Sequence, residues 1–209
     1  FPAGSMQRSS FSKLLYKSSP QRPPGRRLPD LPMNTTAARM LVFQGDNYCC
    51  IRIIGRASFA SGVDFQALID GLLAKGCRLF ILDLAECALM DSTFLGLLAG
   101  FGLKMRGRPE NSNDRGMVLL NPGPRITELL ESLGVLDLFR ITRGTADLPP
   151  GAEAISPTFE PHGHEEVTRA CLEAHQTLSS LSPENAARFK DVTQFLAEDL
   201  KKIKKPDPA

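Results

Sequence analysis

Leu79-Phe-Ile-Leu-Asp-Leu-Ala-Glu-Cys-Ala-Leu-Met-Asp-Ser-Thr-Phe-Leu-Gly-Leu-Leu-Ala-Gly-Phe101 decides how this chain is read. Its first part, Leu79 to Leu84, is continuously apolar apart from Asp83, the pattern of a strand buried on both faces. A short loop follows the carboxylate. Asp91-Ser92 then opens a helix whose apolar stripe is Phe94, Leu97, Leu98, Phe101 and Met105. The Ser92 hydroxyl is thereby placed at a helix N-terminus, where a serine oxygen caps free backbone N–H groups and where a phosphate is well tolerated.

The flanking segments extend the pattern. Upstream, Met40-Leu-Val-Phe-Gln44 and Tyr48 to Ile54 read as two strands, joined through Gly45-Asp46-Asn47, residue types suited to a tight hairpin. Val63, Leu68, Ile69, Leu72 and Leu73 recur at helical spacing, and Gly76 ends that helix. Downstream come a strand at Gly116 to Asn121, a helix from Pro124 and a last short strand near Phe139, after a polar loop at Arg106 to Gly116. The order β-β-α-β-α-β-α-β predicts an α/β fold with a mixed sheet of four or five strands and helices on one face.

Taken together, the strand-Asp-Ser-helix element, Gly116-Met-Val-Leu-Leu-Asn121 and Leu133-Gly-Val-Leu-Asp-Leu-Phe139 resemble the STAS family, the anti-anti-sigma factor-like domain, over about residues 39 to 143. The resemblance implies a serine switch at Ser92, phosphorylated by a partner that is both anti-sigma factor and serine kinase, and reset by a phosphatase. It also implies that Asp83 and Asp91 lie near the switch and that Thr93, Phe94, Arg56 and Ser58 border the partner-binding surface. Two positions depart from the family pattern. Phe94 stands where a glycine is usual, two residues after the serine. Arg56 and Ser58 occupy the first loop, where an acid is usual.

Composition narrows the function classes. A net charge of +2 over 209 residues argues against a nucleic-acid role that needs a strongly basic face. No apolar run approaches the ~20 residues of a membrane span, and no signal peptide is visible. Five cysteines are an odd number, and the adjacent Cys49 and Cys50 cannot easily pair. A reducing cytoplasm is the expected compartment.

Four regions are expected. Residues 1–38 comprise a cloning remnant ahead of Met6 and a disordered basic arm rich in Pro and Ser, a weak docking segment for an acidic partner at most. Residues 39–143 form the STAS-like domain, and 144–161 a Pro-rich linker. Residues 162–209 form a helical hairpin, with Val167, Cys171, Ala174, Leu178 and Leu181 on one helix and Phe189, Val192, Leu196, Leu200 and Ile203 on the other. These stripes need covering by the domain, a partner or a second copy, and a homodimer is the expectation.

The remaining chemistry is thin. Cys171 and His175 stand four apart as metal ligands could, but no further ligands have the spacing of a structural zinc site. There is no Gly-rich phosphate loop with a lysine and no HExxH. A pairing of Ser92 with His162 or His175 is geometrically conceivable, with nothing in the sequence to support it. The expected function is therefore a regulatory, non-enzymatic interaction module without cofactor or metal, switched at Ser92. The alternative is an unphosphorylated scaffold or ligand-sensing STAS protein, dimeric through its C-terminal helices.

Overall fold

The computed structural model describes residues 38–45, 48–106, 116–145, 157 and 161–204. Nearly all of the expected N-terminal arm, the centre of the Arg106–Gly116 loop and most of the 144–161 linker lie outside the described residues. The first two strands, β1 (Arg39–Gln44) and β2 (Tyr48–Ala57), pair antiparallel, and the Gly45 N–H closes their turn on the Tyr48 carbonyl at 2.9 Å. Helix α1 (Phe59–Ala74) leads to β3 (Leu79–Asp83), a strand with every residue buried. After β4 (Cys87–Met90) come α2 (Ser92–Arg106), β5 (Gly116–Leu120), α3 (Pro124–Ser132) and β6 (Arg140–Thr142). Two helices complete the chain, α4 (His164–Ser179) and α5 (Pro183–Lys204).

The sheet is mixed, as expected, but it has six strands rather than four or five. Its main path is β1-β2-β3-β5-β6, parallel except for β1. The extra strand is β4, in the stretch read as loop. It pairs with the last residues of β2, beyond a register shift between Gly55 and Arg56. Gly55 has φ +90°, a conformation open to glycine at little cost, and this lets the end of β2 leave β3 and turn toward β4.

Alternation along β2 sends Cys49 and Cys50 to opposite faces, so the adjacent thiols cannot meet. Burial pushes the Cys50 thiol up to about 12. Helices α1, α2 and α3 cover the face carrying Cys49, Ile51, Ile53, Phe80, Leu82 and Leu119. Helix α1 starts at Phe59, earlier than its apolar stripe suggests. Ser58 is its N-cap, and the Ser61 hydroxyl accepts from the Ser58 N–H at 3.2 Å. Its end is the expected one. Gly76 sits at φ +95° while the Cys77 N–H reaches back to the Leu72 carbonyl at 3.0 Å.

The hairpin packs on the domain itself. Helix α4 buries Thr168, Ala170, Ala174, His175 and Leu178 and lies along α1 and α2. Helix α5 packs on α4, places Phe189 in the main core and ties Asn185 Nδ2 to the Leu133 carbonyl at 2.9 Å. The α4 stripe is thus covered, at Ala174 and Leu178 above all, within one chain.

Candidate functional site: the start of helix α2

Asp91, not Ser92, caps α2. Its carbonyl accepts the first helical N–H, from Leu95, at 3.0 Å, and its Oδ1 accepts from the Phe94 N–H at 2.9 Å. Its Oδ2 accepts from the Phe59 N–H at 2.8 Å, so the same carboxylate also serves the first turn of α1. Its own N–H donates to the Ala57 carbonyl at 3.0 Å. One residue therefore joins the end of β2, through its backbone N–H, to the starts of two helices, through its carboxylate. An aspartate has two oxygens and a charge that favours helix N-termini, which a serine hydroxyl cannot match.

Relieved of capping, the Ser92 hydroxyl turns to α4. Its Oγ lies 3.0 Å from His175 Nε2. The other ring nitrogen, Nδ1, is 2.8 Å from the Cys171 carbonyl, which can only accept. Nδ1 therefore carries a proton, and in the neutral imidazole the bare Nε2 accepts the Ser92 O–H. His175 is only 6% exposed and its ring lies 5.3 Å from that of Phe189. Beside this pair, the Thr93 hydroxyl faces Cys171 Sγ at 3.8 Å. Burial, with the neighbouring Asp91 charge, raises the Cys171 thiol pKa.

The remaining candidates divide. Ser58 is the α1 cap and adjoins the cluster, since Phe59 is bonded to Asp91. Arg56 is exposed near the end of β2, opposite Leu89. Asp83 is engaged elsewhere. It is 5% exposed, its Oδ2 takes Arg52 Nε at 2.9 Å, and its Oδ1 takes the Ala85 N–H at 3.2 Å. Those bonds make it a strand-end brace. Phe94 requires a correction. It is fully buried, with its ring 4.7 Å from that of Phe65, so it forms core and offers no surface to a partner.

Sequence reasoning passed over three features. Phe59, beside Ser58 and bonded through its N–H to Asp91, is a large apolar side chain left 53% exposed. His175 was considered only as a ligand or a base. The seam between Gly96 and Ala174 is the third. A Cβ on Gly96 would stand 2.4 Å from the Ala174 carbonyl oxygen, so the backbones of α2 and α4 touch there. A Ser–His pair oriented by a carbonyl is also the arrangement of a nucleophile and its base. Here His175 is buried, and neither residue lines the cavities beside α1, α2 and α4 or by β5. Among the described residues no three His, Cys, Asp or Glu are grouped to hold a metal, and no helix is long and apolar enough to cross a membrane.

The STAS domain profile matches residues 38–148, more than half of the chain, and the chain belongs to the STAS domain family. It is similar to the anti-sigma-B factor antagonist of Staphylococcus aureus strain NCTC 8325, with 28% identity over 100 residues, 48% of this chain and 88% of that protein. The same figures hold for the antagonist from strain COL. Among solved structures, similarity extends to the anti-sigma factor antagonist SpoIIAA in its unphosphorylated form (TM-score 0.43, 19% identity, 50% of this chain and 88% of that one). It also extends to an anti-sigma factor antagonist from Mycobacterium paratuberculosis (TM-score 0.43, 17% identity, 50% of this chain and 85% of that one). Residues 164–204, the hairpin, lie beyond the matched family segment.

Proposed function

We propose that this protein is a regulatory interaction module whose partner-binding surface surrounds the start of α2 and is switched by phosphorylation of Ser92. One observation carries the reading. Because Asp91 supplies the cap, the Ser92 hydroxyl is a half-exposed group with no helix-capping duty, at the positive end of a helix dipole. Exposed Phe59, whose N–H bonds Asp91, and exposed Arg56, opposite Leu89 at the end of β2, offer an apolar and a cationic contact for a partner. By the family resemblance the partner is an anti-sigma factor with serine kinase activity, and a phosphatase restores the hydroxyl.

Phosphorylation would add about −1.5 to −2 charges beside the Asp91 carboxylate. A surface that desolvates a neutral hydroxyl would then face a dianion, and the complex weakens by several kcal/mol. The expectation for calorimetry against the host's anti-sigma kinase is specific. Ser92→Ala retains binding and Ser92→Asp abolishes it. Equal affinities would refute the switch and leave the scaffold reading, to which the Ser92–His175 bond lends support. Mass spectrometry of the protein from its own host, searched for phosphate at Ser92, is the companion measurement.

A further inference from the structure

We infer that the C-terminal hairpin is a cis-acting occupant of the switch surface, and that its docking and phosphorylation of Ser92 exclude each other. This rests on the reading of Ser92 as the modified hydroxyl and adds to it a second, intramolecular partner. Helix α4 lies across the first turns of α2, so any protein that reaches the inner side of Ser92 competes with α4 for the same residues.

Three features make the docked state incompatible with a phosphate. The first is the Ser92–His175 bond at 3.0 Å, in which the hydroxyl proton is the donor to Nε2 of a neutral imidazole. In the kinase reaction Ser92 Oγ attacks the γ-phosphorus of ATP, the hydroxyl proton leaves to a base on the kinase, and ADP departs. The donor is then replaced by a phosphoryl group whose three terminal oxygens share up to two negative charges. The second is the lack of slack. One turn along, the Gly96 backbone already meets the Ala174 carbonyl, so the helices are in close contact beside Ser92 and a phosphate on its inner side is housed only by moving α4 away. The third is charge. The phosphate oxygens arrive beside Asp91, whose carboxylate is held in place by Phe94 and Phe59.

Leu178 and Phe189 seat the hairpin in the core, and the α4 seam beside Ser92 is the part of this packing that parts most easily. Four of the five side chains buried on α4 are small or polar: Thr168, Ala170, Ala174 and His175. A seam of this kind holds helices close through fit rather than through a large apolar area, and it opens more readily than the core. Its outer edge is held by His162, whose Nε2 meets Asp64 Oδ1 of α1 at 2.5 Å and whose Nδ1 meets Glu166 of α4 at 3.0 Å.

The test is amide hydrogen exchange across residues 164–179 in the full chain, with maleimide labelling of the native Cys171 as a second reading. In Ser92→Glu, exchange of α4 and labelling of Cys171 should rise at least tenfold above the level of Ser92→Ala, which loses only the bond to His175. Unchanged exchange in Ser92→Glu would overturn the inference, and slowed exchange would overturn it too, by showing that a charge at Ser92 closes the hairpin onto His175. Ala174→Arg, placed on the hairpin itself, should open α4 with Ser92 intact. If that variant unfolds the chain, Asp64→Asn with His162→Gln loosens the edge without burying a charge and should give the same opening. None of these readings uses the kinase. If Ser92→Glu opens α4 but neither hydroxyl-bearing open variant binds the kinase more tightly than the parent, the hairpin inference stands and the partner assignment falls.

Discussion

Replacing Asp91 by alanine should cost far more stability than replacing Ser92, the reverse of what a serine cap would give. Asp91→Ala removes two charge-assisted hydrogen bonds, to the Phe94 N–H at 2.9 Å and the Phe59 N–H at 2.8 Å. A lost N-cap costs about 1 kcal/mol, and here two helix starts lose one acceptor each. Loss of the negative charge near both N-termini adds a few tenths more, giving a total of about 2 to 3 kcal/mol. For a chain of this size that lowers Tm by roughly 4 to 12 °C. Ser92→Ala removes one bond, to His175, worth about 0.5 to 1.5 kcal/mol. Asp91→Ser, which can cap α2 but not reach Phe59, should recover about 1 kcal/mol of the loss. Urea unfolding at constant pH decides it. A Ser92→Ala loss equal to or larger than the Asp91→Ala loss would refute the double cap and return the capping role to the hydroxyl.

Phe94→Ala should cost about 3 to 5 kcal/mol by chemical denaturation, because the ring is fully buried and packed on Phe65; a loss below about 1 kcal/mol would show the ring to be dispensable to the core. Gly96→Val should free α4, since even a Cβ stands 2.4 Å from the Ala174 carbonyl oxygen, and hydrogen exchange of α4 should rise while that of β3 and β5 holds. His162 is poised for a pH effect, because its bond to Asp64 raises its pKa against a smaller opposing effect of burial, and the bond to Glu166 adds to the rise. A raised folded-state pKa contributes stability that is fully present below the ordinary histidine value of about 6.5 and is lost as pH rises through the raised value. The urea midpoint should therefore fall over that window, and His162→Gln should flatten the slope.

Legibility in the sequence followed the range of the interaction involved. The strand ending at Asp83, the helix ending at Gly76 and the helix from Asp91 depend on neighbours close in sequence, and each is present. Strand β4 did not show because four residues carry no usable period, and its pairing depends on a bend at Gly55 more than thirty residues upstream. The choice between Asp91 and Ser92 as cap was equally hidden. Both residue types cap well, and the decision comes from the Ala57 carbonyl and the Phe59 N–H, which only the fold brings near. For Phe94 the sequence pointed two ways, since the resemblance set it at the partner surface while the apolar stripe set it toward the core. Its ring is buried because α2 turns that side toward Phe65 of α1. The hairpin's stripes showed that a face had to be covered, while its landing site depended on Gly96 and Ala174, two residues whose smallness carries no local signal.

The arrangement around Asp91 bears on where a change at Ser92 can be absorbed. Asp91 is held on three sides, by the Ala57 carbonyl, the Phe59 N–H and the Phe94 N–H, and the next side chain, Phe94, is locked between helices. Rearranging the start of α2 would break both helix caps at once, at about 2 kcal/mol or more. On its other side Ser92 meets α4 through a single bond to His175, and the adjoining seam is formed by small and polar groups. Added volume and charge at Ser92 therefore displace α4 before they distort α2. By linkage the reverse also holds, since whatever stabilises the docked hairpin lowers the affinity of any protein that needs the inner side of Ser92. If the hairpin is undocked in one molecule in a hundred, apparent affinity falls about a hundredfold, so a modest change at Ala174 or His162 retunes the response without touching the serine.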